Sequence, residues 1–225
     1  MRKGASFLVA AFILPLIGGT SAADELETDS QKLSYIIGYQ IGQNLQRQGI
    51  ELDKQAFLLA IEDALKQTPS RLSPEQAKAA MKAMQQQEQQ QRTKLAEKNK
   101  AAGKAYLQAN KEKQGVVELD SGLQYRIIQQ GEGEKPAADD TVVVNYRGTL
   151  IDGTEFDSSY KRGQPATFKV NGVVKGWQQA LQLMPVGSKW EIVIPPTLAY
   201  GPQGAGRLIG PNETLIFDIE LLEIK

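Results

Sequence analysis

Side chains able to do chemistry concentrate in the C-terminal half of this chain, in short stretches rather than one motif. They are Val144-Asn145-Tyr146-Arg147-Gly148, Gly153-Thr154-Glu155-Phe156-Asp157-Ser158-Ser159 and Val173-Val174-Lys175-Gly176-Trp177. Pro195-Pro196-Thr197-Leu198-Ala199-Tyr200-Gly201, Leu208-Ile209-Gly210-Pro211-Asn212 and Leu215-Ile216-Phe217-Asp218 complete the set. Taken singly, none is diagnostic. A tryptophan such as Trp177 is usually core. Asp157 beside two serines could close a turn, and Tyr200 could be a packed tyrosine. The chain has no histidine and no cysteine in 225 residues. That excludes the Ser-His-Asp and Cys-His arrangements, the usual zinc sites, thiolate chemistry and disulfides. Carboxylates, tyrosines, lysines or binding alone remain.

In order and spacing, the six stretches resemble the FKBP family of peptidyl-prolyl cis/trans isomerases, from about Gly122 to Lys225. The resemblance implies an apolar proline pocket. Tyr146, Phe156, Asp157, Val173, Val174, Trp177, Tyr200, Leu208, Ile209 and Phe217 stand at the family's pocket positions. Trp177 would be the floor, with Tyr146, Phe156 and Phe217 as walls. Asp157 would be the buried polar group, with Arg162 as the basic residue supporting it. Tyr200 would offer its hydroxyl to a substrate carbonyl. Asp157, Tyr200 and Phe217 are the expected catalytic positions, and the others, with Arg162, bind substrate. Three positions depart from many relatives. Ala166 stands where they carry a rim phenylalanine, Val174 where isoleucine is common, and Gly210 for the first of two prolines. The thinner wall bears on macrolide inhibitors, which the family binds. No cofactor and no metal are expected.

Such a pocket suits a reaction without a nucleophile. An X–Pro bond isomerises in tens to hundreds of seconds unaided, because twisting it costs amide resonance. An apolar site accepts the twisted, less polar amide more readily than water does. Binding that state preferentially is catalysis, at about 1.4 kcal/mol per tenfold acceleration.

The elements that must position these residues begin near Gly115, where composition turns to β-branched residues and glycine. Leu123, Tyr125 and Ile127 alternate; Thr141–Tyr146 and Trp190–Ile194 read as strands; Leu215, Phe217, Ile219 and Leu221 alternate to the end. One short helix is expected over Gly176–Met184. The fold class is α+β: a C-terminal antiparallel sheet wrapped on that helix, FKBP-like, over residues 115–225. Gly201–Gly206 lacks a phosphate loop's Gly-Lys-Ser/Thr ending and contains Pro202, so it reads as a rim loop. Asp139-Asp140 reads as a solvated turn.

Upstream, residues 23–72 read as an all-α dimerisation region. Leu33, Ile36, Ile37, Ile41 and Leu45 form one helical stripe, and Gly49 is placed to end that helix. Asp53 suits an N-cap, with Leu52 and Phe57 as a staple. Phe57, Leu58, Ile61 and Leu65 make the second stripe. Two short helices cannot bury both stripes alone, so a homodimer through Leu33, Ile36, Ile37 and Ile41 is expected. Gly38 and Gly42 would allow close approach. The alternative is packing of the stripes on each other or on the C-terminal domain. Over 73–114 the sequence predicts a long connecting helix opened by Ser73, Pro74 and Gln76, roughly 60 Å long. Ala77, Ala80, Met81 and Met84 give it an initial apolar face. Six of the seven residues from Gln85 to Gln91 are glutamine. A helix polar all round usually bridges domains through solvent; a disordered Gln-rich linker is the competing reading. This layout resembles the dimeric macrophage infectivity potentiator type, which has periplasmic relatives.

Residues 1–22 read as a cleavable signal peptide: Arg2 and Lys3, an 11-residue apolar run from Phe7 to Ile17, then small residues. That run is short for a transmembrane helix. The mature chain would start at Ala23 or Asp24 in the periplasm, with outer-membrane association or secretion also open. The net charge of zero points to no nucleic-acid partner. Expected partners are proline-containing unfolded or partly folded proteins. The rival reading is an ATP-independent chaperone in which isomerisation is secondary; a catalytically silent interaction domain is the third.

Overall fold

The computed structural model describes residues 26–48, 50 and 52–225. The signal peptide, the start of the mature chain and the helix stop at Gly49 lie outside the described residues. The chain divides into two compact units between Arg71 and Leu72.

In the first unit, α1 spans Asp29–Gln48 and α2 spans Lys54–Leu65. Asp53 caps α2: its Oδ1 accepts the Ala56 amide at 2.9 Å, satisfying one of the free N–H groups of the first turn. Arg71 forks onto Asp63 with bonds of 2.6 and 3.0 Å, tying the following segment back to α2. No residue of α2 is buried, and Leu33, Ile36 and Ile37 on α1 are each more than half exposed. The apolar stripes form as the periodicity predicts, and apart from the half-buried Leu45 and Phe57 they are exposed within one chain.

The second unit opens with α3, Pro74–Lys111. Its start is a capping box. Gln76 N donates to Ser73 Oγ at 3.2 Å, and Ser73 N donates to Gln76 Oε1 at 2.9 Å. The glutamine run is helical and exposed, and so are Met81 and Met84. Farther along, Asn99, Gly103 and Asn110 are buried. They share one face, and that face lies against the sheet domain: Asn110 Nδ2 donates to the buried Gln124 Oε1, and Asn99 Nδ2 donates to the Pro211 carbonyl, both at 2.9 Å. The C-terminal half of α3 is therefore not a helix in solvent.

The sheet is antiparallel throughout, in the order β1-β2-β6-β7-β3-β4, with β5 also paired to β3. The strands are β1 Val116–Glu118, β2 Gln124–Gln129, β3 Thr141–Leu150, β4 Glu155–Ser158, β5 Ala166–Lys169, β6 Lys189–Ile194 and β7 Leu215–Ile224. Along β7, Leu215, Phe217, Ile219 and Leu221 are buried and the residues between them are not, as the alternation requires. Helix α5, Lys175–Leu181, buries Trp177, Ala180 and Leu181 in the same core as Val142, Val144, Ile192 and Ile194. Gly176 permits that approach, because a Cβ there would lie 2.5 Å from Ile194 Cγ2. Beyond the sequence reading lie β1, β4, β5, the one-turn helix α4, Ser159–Arg162, and three 3-10 turns, Val170–Gly172, Pro196–Leu198 and Gly201–Gln203. All are four residues or shorter, too short to carry a hydrophobic period.

Candidate active site

Five elements and the loop before β7 meet around a cavity of about 770 Å³. Strand β3 supplies Tyr146, β4 supplies Phe156 and Asp157, and β7 supplies Phe217. Val173, Val174 and Trp177 come from the start of α5. Tyr200, Leu208 and Ile209 line it from the segment between β6 and β7. Of the residues singled out from sequence, these ten line the cavity, and Arg162 does not.

Register explains the grouping. Gly148 on β3 sits opposite Asp157 of β4 and Phe217 of β7. Without a side chain at 148, the Phe156 and Phe217 rings close over that position, edge to face at 5.4 Å between centroids. Trp177 meets Tyr146 at 5.3 Å and Phe217 at 5.2 Å, both T-shaped. Edge-to-face pairs of this kind contribute about 0.5–1.5 kcal/mol each beyond area burial, so the aromatic rings brace one another as well as the cavity. Gln178 Nε2 donates to the Val173 carbonyl at 2.7 Å and holds the loop that presents Val173 and Val174.

The polar groups are nearly all engaged. Tyr146 donates its hydroxyl to Asp157 Oδ2 at 2.5 Å. Arg162, at the end of α4, donates to Asp157 Oδ1 at 2.5 Å and to the Tyr146 hydroxyl at 2.7 Å. The Ser158 amide adds a fourth bond, to Asp157 Oδ1 at 2.8 Å. Burial is the largest single influence on the Asp157 carboxyl and opposes its ionisation. The bonds from Tyr146 and Arg162 and the Arg162 charge together outweigh it and hold the group below the ordinary carboxylate range. Burial, and then the bond to Asp157, push the Tyr146 phenol up. Asp157 is thus an ionised, fully bonded carboxylate, a poor proton acceptor. Among the described residues the Tyr200 hydroxyl has no protein partner and stands at the cavity lining. The arrangement offers an apolar enclosure, a fixed negative charge and the Tyr200 hydroxyl as a donor, with the Arg207 side chain also on the lining. It offers no nucleophile paired with a base.

Ala205 and Gly206, from the loop read as a rim, also line the cavity, and sequence reasoning missed Phe168, Gly172 and Arg207. Phe168 is the important one. It lies two residues beyond Ala166 on β5, so both face the same side. Its ring contacts Trp177 at 5.9 Å and Tyr146 at 5.8 Å. Phe168 pairs with Val142 in the β3–β5 register, and four residues of strand give no hydrophobic period by which the sequence could signal it. Ala166 does not line the cavity.

Comparison with known proteins agrees with this geometry. Residues 132–222 match the family model described as FKBP-type peptidyl-prolyl cis-trans isomerase. Residues 30–127 match the model of the domain amino terminal to it. The chain is 48% identical to the outer membrane protein MIP of Legionella longbeachae, over 97% of each chain. It is 47% identical to the FKBP-type 22 kDa peptidyl-prolyl cis-trans isomerase of Escherichia coli, over 88% of this chain and 97% of that one. Its structure is similar to the crystal structure of FkpA from Escherichia coli, at 39% identity and a TM-score of 0.65, covering 89% of this chain and 99% of the other. A helical N-terminal region, an antiparallel sheet domain and a histidine-free aromatic cavity therefore coincide with two adjoining family matches, and the chain belongs to the FKBP-type peptidyl-prolyl cis-trans isomerases.

Proposed function

We propose that the aromatic cavity is where this isomerase binds the X–Pro amide and lowers its rotation barrier without covalent chemistry. The observation that carries the reading is the Tyr146–Asp157–Arg162 network set into an otherwise apolar enclosure. Trp177 would receive the proline ring, with Tyr146, Phe156 and Phe217 around it. Asp157 faces the twisting amide as a fixed dipole, and Tyr200 donates to a neighbouring substrate carbonyl. Val173, Val174, Leu208 and Ile209 enclose the flanking residues, and Arg162 orients Asp157. Preorganised dipoles of this kind stabilise the twisted state without reorganising during the reaction.

The test is turnover of a proline tetrapeptide in a protease-coupled assay with the purified chain. Asp157→Ala should lower kcat/KM about tenfold, the worth of one or two such bonds; an unchanged value would remove the carboxylate from the site. Its pH profile carries a sign. Folding lowers the Asp157 value from the ordinary 3.8. The stability it contributes is complete above that pH and is lost as pH falls through the lowered value. Wild-type kcat/KM should therefore stay flat from neutral pH down to about 4, whereas a fall centred near pH 6 would assign the titration to another group.

The same reading places two copies of the chain together through α1. Leu33, Ile36 and Ile37 are exposed within one chain, and a Cβ at Gly38 or Gly42 would meet nothing within 4 Å. A second copy is the occupant whose stripe matches by symmetry. Ile37→Asp should convert a dimer to monomers in analytical ultracentrifugation, and an unchanged dimer would move the interface elsewhere. Clients would be unfolded proline-containing proteins in the periplasm, reached through the leader at residues 1–22, and holding such clients would add chaperone activity. The smaller Val174 on the cavity lining would weaken macrolide inhibitors.

A further inference from the structure

The rim of the cavity is not held by the sheet domain alone. Between β6 and β7, residues 200–212 carry Tyr200, Leu208 and Ile209, and they touch the sheet through few backbone bonds. Asn212 N donates to the Gly201 carbonyl at 2.8 Å and closes the base of the segment. Inside it, Ala205 and Ile209 exchange backbone bonds of 2.9 and 3.2 Å. Ile209 packs against the core of the sheet domain, and the remaining hydrogen-bonded anchors come from α3. Arg92 Nη2 donates to the carbonyls of Pro202 and Gln203, at 3.2 and 2.7 Å. One turn or two farther along, the buried Asn99 donates to the Pro211 carbonyl at 2.9 Å. The Asn212 side chain reaches back to the Ala96 carbonyl at 3.5 Å. One helix face thus grips both ends of the segment, about 110 residues away in sequence.

We infer that Arg92 and Asn99 are positioning residues for the isomerase reaction: the connecting helix holds the substrate-facing rim closed over the cavity. This rests on the reading of the cavity as the proline site. The physical argument concerns the carbonyls. Those of Pro202, Gln203 and Pro211 lie outside the strands and accept no backbone N–H among the described residues. A guanidinium bonding two successive carbonyls fixes that short stretch of backbone, because a charge-assisted donor is roughly twice as strong as a neutral one. Gly201, Gly204 and Gly206 all have positive φ, and glycines give the segment freedom to open when the anchor is lost. Leu208 and Ile209 would then spend less time in place, and substrate affinity would fall by that lost population. The Tyr146–Asp157–Arg162 network and Trp177 form no hydrogen bond with α3, and Tyr200 stands before the Gly201–Asn212 closure, which Arg92 does not make, so the chemical step should be spared.

The experiment uses the full chain with Arg92→Ala, Arg92→Lys and Asn99→Ala. Arg92 is exposed, so its loss should leave the melting temperature within a degree or two. For Arg92→Ala, amide hydrogen exchange over Gly204–Ile209 should quicken about tenfold, and KM for a proline tetrapeptide should rise about three- to tenfold with kcat kept within about twofold. Arg92→Lys, able to reach one carbonyl, should recover part of the KM. Asn99→Ala should act in the same direction, with a larger stability loss. Unchanged exchange, or faster exchange with unchanged KM, would overturn the inference; so would a loss of kcat with KM kept. The parent reading fails separately: if Asp157→Ala is fully active, the cavity is not the site, whatever Arg92 does.

Discussion

Gly148→Ala is expected to lower kcat/KM for proline peptides by at least tenfold while the chain still folds. A Cβ at that position would lie 2.6 Å from Phe156 Cε2 and 2.7 Å from Phe217 Cε1. Both rings belong to the cavity wall, and both are already in edge-to-face contact. They must turn away, and Phe217 can do so only by pressing on Trp177, 5.2 Å from it. Overpacking of this kind costs about 1–3 kcal/mol. Here the cost falls where the substrate ring must sit, and about 1.4 kcal/mol lost from transition-state binding is a factor of ten. The check is kcat/KM alongside near-ultraviolet circular dichroism, which reports the aromatic cluster. Full activity with a perturbed aromatic spectrum would mean that the wall geometry does not matter to catalysis.

Removal of the residues before Ser73 should separate two activities. Tetrapeptide turnover should stay within about twofold, because every cavity residue and both α3 anchors lie in the second unit. Proline-limited refolding of a whole protein should slow by about tenfold or more. Two linked sites raise effective local concentration without any new contact, by factors of 10² or greater when geometry allows. A long client can engage both copies of a dimer, and a tetrapeptide cannot. Suppression of aggregation should weaken in parallel. Equal losses in both assays, or none in either, would show that the helices do not collect clients.

The pocket was legible in the sequence because its residues combine unusual types with fixed spacing. Trp177 after Gly176, Asp157 after Phe156 and Tyr200 before Gly201 are informative together although each is ordinary alone. The α1 stripe and the caps at Asp53 and Ser73 were legible for a simpler reason: periodicity and capping are local. Phe168 was hidden because β5 is four residues long, and its partner Tyr146 lies across the β3–β5 pairing rather than along the chain. The buried face of α3 was hidden for a different reason. Asn99, Gly103 and Asn110 recur at helical spacing, but none is apolar, so hydrophobic periodicity cannot register them. Asn99 and Asn110 are buried with their amides donating to Pro211 and Gln124, and Gly103 is buried by close packing against Thr214. Gln124, fully buried, bonds Asn110 Nδ2 through its Oε1 and donates to the Leu107 carbonyl at 2.9 Å. A fragment starting at Gly115 would lose two of the three bonds of that side chain and keep only the one to Glu118 Oε2 at 2.7 Å. The sheet domain is therefore better isolated from Ser73 than from Gly115.

On the proposed mechanism, the cavity between β3, β4, α5 and β7 is the place where the X–Pro amide is turned. Two-dimensional NMR exchange spectroscopy tests it most directly. A proline tetrapeptide is titrated into the isotopically labelled chain while its own cis and trans signals are followed. The account predicts accelerated cis–trans exchange of the peptide. It also predicts amide shift changes confined to residues around Tyr146, Asp157, Trp177, Tyr200 and Phe217, with both effects lost together in Gly148→Ala. Accelerated exchange with shift changes on α1 and α2 instead, or shift changes at the cavity without acceleration, would contradict it.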